Sequence, residues 1–135
     1  MKRTIQPKSW KEPRGYSNAI AARGDLVFIA GQIGWNESET IVSSDFAEQA
    51  AQALRNIAEI LREAGGAPGD LVRLTWYVTD KHEYRAARKR LGTLYREILG
   101  DAMPAMALVQ VAALLEDEAK VEIEATAVIG NGAQT

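Results

Sequence analysis

Residues 101–113 read DAMPAMALVQVAA, in which a proline precedes a short alternating run that is typical of a β-strand. We predict a strand over residues 105–113. Successive side chains of a strand point to opposite faces of the sheet, so this run divides into two sets. The sets are Ala105, Ala107, Val109 and Val111 on one face, and Met106, Leu108 and Gln110 on the other. The first set predicts a plain core face, whereas the second mixes apolar and polar side chains and is expected to decide the function.

The rest of the chain alternates between strand and helix patterns. Asp45 with Glu48 three residues later predicts a helix start, and Gly65-Gly66 predicts its end. A second helix pattern is opened by Asp80 and closed by Gly100. The predicted strands besides 105–113 are 17–22 and 25–32, joined by a tight hairpin turn at Arg23-Gly24, then 71–79 and 120–128.

This element order predicts an α+β fold in which two helices cover one face of a mixed sheet. The opposite face is predicted to carry an unusual mixture of charged, aromatic and apolar side chains, which suggests that another subunit half buries it. The alternative is an ordinary solvent-exposed face with some apolar residues. The predicted members of this face are Arg73, Thr75, Tyr77, Met106, Leu108, Gln110, Glu122, Glu124 and Thr126.

Composition limits the possible functions of the chain. The 135 residues suit a single domain, predicted over residues 1–129, with a disordered tail at 130–135. A net charge of −2 argues against nucleic-acid binding. The sequence contains no cysteine and a single histidine, which argues against thiol chemistry and against a metal site. With no apolar run long enough to span a membrane, the expected location is cytoplasmic.

Several segments together resemble the Rid family, whose members are also called YjgF/YER057c/UK114 proteins. The segments are GYSNAI near residue 15, LVFIAGQIG from Leu26, AEQAAQALRNIAEIL in the first helix, PAMALVQVA, and KVEIEATAV. They extend from about Gly15 to Val128 in the order and spacing of that family. The resemblance implies a chorismate-mutase-like fold, a homotrimer with small-molecule clefts between subunits, and hydrolysis of reactive enamines or imines without any metal or organic cofactor.

The resemblance also implies roles for particular residues. The family tyrosine corresponds to Tyr16, the glycine of the strand-end motif to Gly31, and the water-positioning glutamate to Glu122. The family arginine that pairs with the substrate carboxylate is replaced by Met106, which places the chain with branches that lack this arginine. Because a thioether cannot pair with an anion, slow turnover of 2-aminoacrylate is expected.

Other residues are candidates from their positions in the sequence. Arg14 lies two residues before Tyr16 and is a possible replacement cation, although a solvated loop arginine is the alternative. Trp35 follows Gly31 closely and is a candidate aromatic wall of the cleft. Leu108 shares the predicted face of Met106, so both are substrate-binding candidates. For Glu122 the alternative is a structural carboxylate at a subunit interface.

The leading hypothesis is a hydrolase that acts on the C–N bond of an enamine or imine with an aromatic or extended carbon skeleton, such as an aminomuconate-like compound. The alternative is a metabolite-binding trimer without catalytic activity, which the absence of the family arginine favours. A ribonuclease function, suggested by an older label of the family, is opposed by the acidic balance of the chain.

Overall fold

The computed structural model describes residues 2–130, so the predicted tail lies, apart from Gly130, outside the described residues. Its elements agree with the predicted order except for one additional strand at the N-terminus. They are β1 Lys2–Ile5, β2 Ala19–Ala22, β3 Asp25–Gln32, α1 Phe46–Glu63, a 3-10 turn Pro68–Asp70, β4 Leu71–Val78, α2 Lys81–Leu99, β5 Ala105–Gln110 and β6 Val121–Ile129. The α+β class is confirmed.

The main sheet has four strands in the order β3-β6-β4-β5. Strands β4 and β5 are parallel, whereas β6 is antiparallel to both β3 and β4, so the prediction of a mixed sheet is confirmed. The predicted hairpin between residues 17–22 and 25–32 is wrong: β2 pairs with β1 in a separate sheet, and β3 pairs with β6. The turn residues predict only a local change of chain direction. Strand β3 pairs with β6, and in this arrangement Ile29 is buried against the core.

Helix α1 supplies most of the core on the covered face of the sheet. Asp45 caps its first turn by accepting a hydrogen bond from the Glu48 backbone N–H, as the sequence predicts. Gly65, at φ +84°, lies just beyond its C-terminal end in a conformation that favours glycine. Its inward positions are fully buried because they recur at helical spacing. They include Ala50, Leu54, Ile57 and Leu61.

Helix α2 is less deeply packed than α1. Asp80 caps its start through the backbone N–H of His82, and Gly100, at φ +65°, caps its end. Only Leu91 and Leu99 of this helix are buried, while the other apolar positions of its inner face are half-buried. The incomplete packing leaves a concave space beneath α2, next to the edge strand β5.

The face assignment of the edge strand β5 in the sequence analysis is wrong. Met106 pairs with Leu74 of β4, and Leu108 pairs with Trp76, so these two side chains lie on the face covered by the helices. Val109, by contrast, pairs with Tyr77 and is 45% exposed on the open face. Alternation shows which residues share a face but not which face is buried, and the small residues of β5 do not mark the core face.

The open face of the sheet is formed by rows of paired residues. One row consists of Glu122, Tyr77 and Val109, and the next contains Glu124, Thr75 and Ala107. On β3, Phe28 is 77% exposed and Leu26 is 62% exposed. The predicted mixture of charged, aromatic and apolar side chains is therefore present, with Phe28, Leu26 and Val109 in place of Met106, Leu108 and Gln110, which lie on the other face.

Candidate functional site

A cavity of about 280 Å³ lies between α2, the edge strand β5 and the loop before β2. We call it the α2 cavity. Apolar and aromatic side chains form most of its wall, and three arginines contribute to its lining. The lining residues are Arg14, Gly15, Trp76, Tyr84, Arg88, Leu91, Gly92, Tyr95, Arg96, Met103 and Met106. The structure thus brings Arg14 and Met106, both predicted site residues, into one cavity.

The loop that carries Arg14 is held against the start of β5 by Ser17. The Ser17 backbone N–H donates to the Pro104 carbonyl at 3.1 Å, and its hydroxyl donates to the Met103 carbonyl at 2.5 Å. Ser17 also forms a parallel bridge with Ala105. These contacts place the 14–16 segment, including Tyr16, beside β5. The positive φ of Gly15, +80°, permits the turn that this placement requires.

Two of the three cavity arginines come from α2 and were missed by sequence reasoning. Arg88 and Arg96 flank Gly92 at spacings of four residues, which puts all three on one face of the helix. Among residues 2–130, neither these two arginines nor Arg14 forms an ion pair with a carboxylate. The α2 cavity therefore carries unneutralised positive charge. The i, i+4, i+8 spacing was visible in the sequence, but only the fold shows that this face meets a cavity.

Aromatic side chains line the inner part of the α2 cavity. Trp76 and Tyr84 make an edge-to-face contact with ring centroids 5.9 Å apart, and the Arg88 guanidinium lies 6.0 Å from the Tyr84 centroid. Tyr95 donates its hydroxyl hydrogen to the Ala102 carbonyl at 2.8 Å, and burial raises the pKa of Tyr95 to about 12. Tyr95 is therefore a neutral hydrogen-bond donor at physiological pH.

Trp76 has one unusual property. It is only 4% exposed, as its predicted core position requires, yet its indole Nε1–H has no acceptor in the described part of the chain. Buried N–H groups are nearly always hydrogen-bonded, so this donor marks a place where a bound molecule or a water is needed.

A second group of predicted residues meets on the open face of the sheet. Gly31 packs directly against Glu122: a Cβ atom at Gly31 would lie 2.0 Å from the Glu122 carboxylate oxygen. The backbone of β3 therefore approaches this carboxylate closely only because residue 31 lacks a side chain. The Glu122 side chain is half-buried beside Tyr77, its partner in the adjacent strand. We call this pair the Gly31–Glu122 notch.

The surroundings of the notch are polar and negatively charged. Tyr77 donates a hydrogen bond to the Glu124 carboxylate, and this bond raises the pKa of Tyr77, with burial and the charges of Glu124 and Glu122 acting in the same direction. The phenol therefore stays protonated and occupied with Glu124. Glu122 has no hydrogen-bond or ion-pair partner within residues 2–130, which leaves its carboxylate available for a ligand or water.

The α2 cavity and the Gly31–Glu122 notch lie on opposite faces of the sheet. Met106 pairs with Leu74 on the covered face, whereas Glu122 pairs with Tyr77 on the open face. Strand β4 also separates β5 from β6. A small molecule that contacts both places must therefore contact two copies of the chain.

The remaining predicted residues lie elsewhere. Trp35 lines a shallow concavity against α1 together with Gln32 and Asn56, and it does not line the α2 cavity. Leu108 packs against the core behind Met106. Across residues 2–130 no cluster of three or more potential ligand side chains could hold a metal ion. In the same range no helix is both long and apolar enough to cross a membrane.

Comparison with known proteins agrees with this architecture. The profile of the family described as Endoribonuclease L-PSP matches residues 8–129. A RutC family protein of Pyrococcus horikoshii is 36% identical over 94% of this chain and 98% of its own length. The human 2-iminobutanoate/2-iminopropanoate deaminase is 35% identical over 85% of this chain and 80% of its own length.

Solved structures show the same relationship. A Rid family protein of unknown function from Yersinia pestis superposes with a TM-score of 0.82 at 34% identity, covering 95% of this chain and 98% of that one. The RidA protein of an Antarctic Psychrobacter gives a TM-score of 0.67 at 34% identity, covering 94% and 99%. The matches extend over nearly the whole chain in sequence and in structure, and the chain belongs to the Rid family.

Proposed function

We propose that this protein is an imine or enamine deaminase that hydrolyses the C–N bond of a small molecule to a carbonyl compound and ammonia. Its relatives include proteins named 2-iminobutanoate/2-iminopropanoate deaminase from human and from Escherichia coli, which supports this class of reaction. The observation that carries the proposal is the Gly31–Glu122 notch, where a carboxylate without a partner in the described part of the chain lies against the β3 backbone.

In the proposed mechanism Glu122 acts as a general base. Its carboxylate accepts a proton from a water molecule while the water oxygen bonds to the imine carbon. The proton then passes to the nitrogen, which gives a carbinolamine. The hydroxyl proton of the carbinolamine is next transferred through Glu122 to the nitrogen, the C–N bond breaks, and ammonia leaves as the carbonyl group forms. No redox step is involved. The absence of a side chain at Gly31 lets the carboxylate pack against the β3 backbone, which supports the fixed position that a general base requires.

The proposed active unit is a homotrimer with the substrate bound between neighbouring subunits. The notch and the α2 cavity lie on opposite faces of one chain, so a ligand shared by both needs a second copy. The open face also exposes Phe28, Leu26 and Val109, an apolar surface that association would cover. A small molecule is the proposed ligand, and the proposed site of action is the cytoplasm.

The proposal is tested by generating imines in situ from amino acids with an amino acid oxidase and following their hydrolysis. Glu122→Gln should lower kcat by at least about 100-fold, since loss of a general base typically has an effect of that order. Glu116→Gln, an exposed loop carboxylate, is the matched control and should keep parental kcat. Equal rates for the parent and Glu122→Gln would refute the assignment of Glu122.

A second candidate function is a trimer that binds a metabolite without turning it over. It is favoured by Met106 at the position where the family arginine would pair with a substrate carboxylate. The two functions separate in one measurement: if no imine is hydrolysed above the background rate while a keto acid binds equally well to the parent and to Glu122→Gln, the binding function is correct.

A further inference from the structure

We infer that the α2 cavity is the substrate's anchoring subsite, in which arginines of α2 bind a carboxylate and the aromatic wall holds an aromatic side chain. The substrate class is then a 2-imino acid with an aromatic side chain. The inference rests on the proposed function for the reaction, but the subsite itself is argued from the cavity. Arg88 and Arg96, on α2, supply the positive charge that Met106, on β5, does not provide.

Arg14, Arg88 and Arg96 all line the α2 cavity, and no carboxylate in the described part of the chain is paired with any of them. Arg90, on the same helix but outside the cavity, does have carboxylate partners, Asp45 and Glu48. Guanidinium groups bind carboxylates through paired, charge-assisted hydrogen bonds. A carboxylate is therefore a ligand group that the charge of this cavity fits.

Trp76, Tyr84 and Tyr95 present aromatic surfaces, and Leu91 and Met103 present aliphatic surfaces. Aromatic rings favour edge-to-face and offset contacts with one another, and methionine sulfur packs well against rings. A volume of about 280 Å³ lies just under the range of about 300–1,000 Å³ that suits drug-sized ligands. A three-carbon imine would leave most of this surface uncovered, whereas an aromatic side chain would cover it.

Gly92 lies between Arg88 and Arg96 on α2. Glycine inside a helix typically costs about 1 kcal/mol relative to alanine. A Cβ atom at Gly92 would lie 3.6 Å from Arg96 Nη1, an ordinary contact, so packing does not require the glycine. What its missing side chain provides is space in the cavity wall between Arg88 and Arg96.

Trp76 forms part of the wall of the α2 cavity, where its ring would contact a bound ligand. Binding in the cavity should therefore change Trp76 fluorescence, and this change provides a readout that does not depend on catalysis.

The test is calorimetric binding of keto acids, the proposed product class, to the full-length protein. Phenylpyruvate should bind at least about tenfold more tightly than pyruvate, and phenylacetone, which has the ring but no carboxylate, should bind at least about tenfold more weakly than phenylpyruvate. Arg88→Gln and Arg96→Gln should each weaken phenylpyruvate binding about tenfold or more. Arg85→Gln, on the same helix but outside the cavity, is the matched control and should bind like the parent.

Gly92→Leu provides a second variant that keeps every charge. It should fill the cavity and abolish phenylpyruvate binding while the thermal midpoint stays equal to or above that of the parent, because leucine is the better helix former. The inference is overturned if phenylpyruvate and pyruvate bind alike, or if the Arg88 and Arg96 variants bind like Arg85→Gln.

The two proposals fail separately. Arginine-dependent binding of phenylpyruvate without hydrolysis of any imine would retain the subsite and overturn the deaminase function. Imine hydrolysis that depends on Glu122, with phenylpyruvate affinity independent of Arg88 and Arg96, would retain the deaminase and overturn the subsite.

Discussion

At the residue scale, Gly31 illustrates how the absence of a side chain shapes the notch. Replacement by alanine would place a methyl group 2.0 Å from the Glu122 carboxylate oxygen, which forces the carboxylate or the β3 backbone to move. We expect Gly31→Ala to lower kcat for imine hydrolysis at least about tenfold, since small displacements of catalytic groups have large effects. Steady-state kinetics with in situ generated imines measures the change.

The matched control for this variant is Gly69→Ala. Gly69 is exposed, and an added Cβ atom would meet nothing within 4 Å, so the same chemical change should leave kcat unchanged. Full activity in Gly31→Ala would show that Glu122 does not need its present position for catalysis.

Met106 is the residue at which specificity is expected to change. It lines the α2 cavity together with Arg14, and the resemblance to the family places the carboxylate-binding arginine at this position. Met106→Arg should raise kcat/KM for the small enamine 2-aminoacrylate at least about tenfold, because a charged hydrogen bond to its carboxylate is gained. It should lower kcat/KM for an aromatic imino acid, because the longer side chain fills the cavity.

The two substrates are compared in parallel assays, with Met103→Arg as the control. Met103 also lines the cavity but lies outside β5 and is 40% exposed, so arginine there should have little effect on the small substrate. If Met106→Arg changes both substrates by the same factor, the residue does not decide specificity.

Tyr95 predicts a dependence of stability on pH. Burial raises the pKa of its hydroxyl from 10.0 to about 12, so the unfolded chain releases a proton at a lower pH than the folded chain. This contribution to stability is complete below about pH 10 and is lost as the pH rises from about 10 to 12. As the pH rises through this window, the free energy of unfolding should decrease by about 1–2 kcal/mol less for Tyr95→Phe than for the parent.

The measurement is urea unfolding of both proteins between about pH 9 and 11.5, where the raised pKa of Tyr77 affects parent and variant equally. Parallel stability curves for the parent and Tyr95→Phe would contradict the prediction.

At the element scale, Gln49 joins helix α1 to the segment before β6. This side chain is fully buried, and its amide nitrogen donates to the carbonyls of Ser43 and Glu118, while its oxygen accepts from the Lys120 N–H at 2.8 Å. Gln49→Met keeps the volume but leaves these backbone groups buried without a partner. We expect a loss of about 2–4 kcal/mol in the free energy of unfolding, measured by urea denaturation.

Gln52→Met is the matched control on the same helix. Gln52 is half-buried and loses a single side-chain hydrogen bond to Asn56, so the loss should stay below about 1 kcal/mol. Equal losses in the two variants would show that the Gln49 bonds do not hold α1 to the segment before β6.

At the scale of the whole molecule, the open face of the sheet is expected to hold the homotrimer together. Phe28 is 77% exposed at the centre of β3, where a charged side chain would have to be buried on association. Phe28→Glu should convert the trimer to a monomer, as measured by light scattering after size-exclusion chromatography. Because the proposed cleft needs two copies, imine hydrolysis should be lost together with the trimer.

Leu115→Glu is the control for a general effect of removing an exposed apolar side chain. Leu115 is 93% exposed in the segment between β5 and β6, away from the sheet face, so this variant should remain trimeric and active. A monomeric parent, or a trimeric Phe28→Glu, would contradict the assembly.

Much of the fold could be predicted from local patterns. The caps at Asp45 and Asp80, the glycines after both helices, and the alternation in 71–79 each reflect backbone chemistry within a few residues, and the structure agrees with them. The adjacency of Gly31 and Glu122 was implied only by resemblance to the Rid family, since the two residues are far apart in the sequence.

The sequence by itself determined the two helices, the five strands after β1, their order and the family, because these depend on local periodicity and on motifs. Only the tertiary structure decided which face of β5 is covered, because alternation is unchanged when a strand is turned over. It also decided that β3 pairs with β6, and that Arg88 and Arg96 border the same cavity as Met106. These contacts are between residues that are far apart in the sequence. They depend on how all the helices and strands pack together to bury apolar surface.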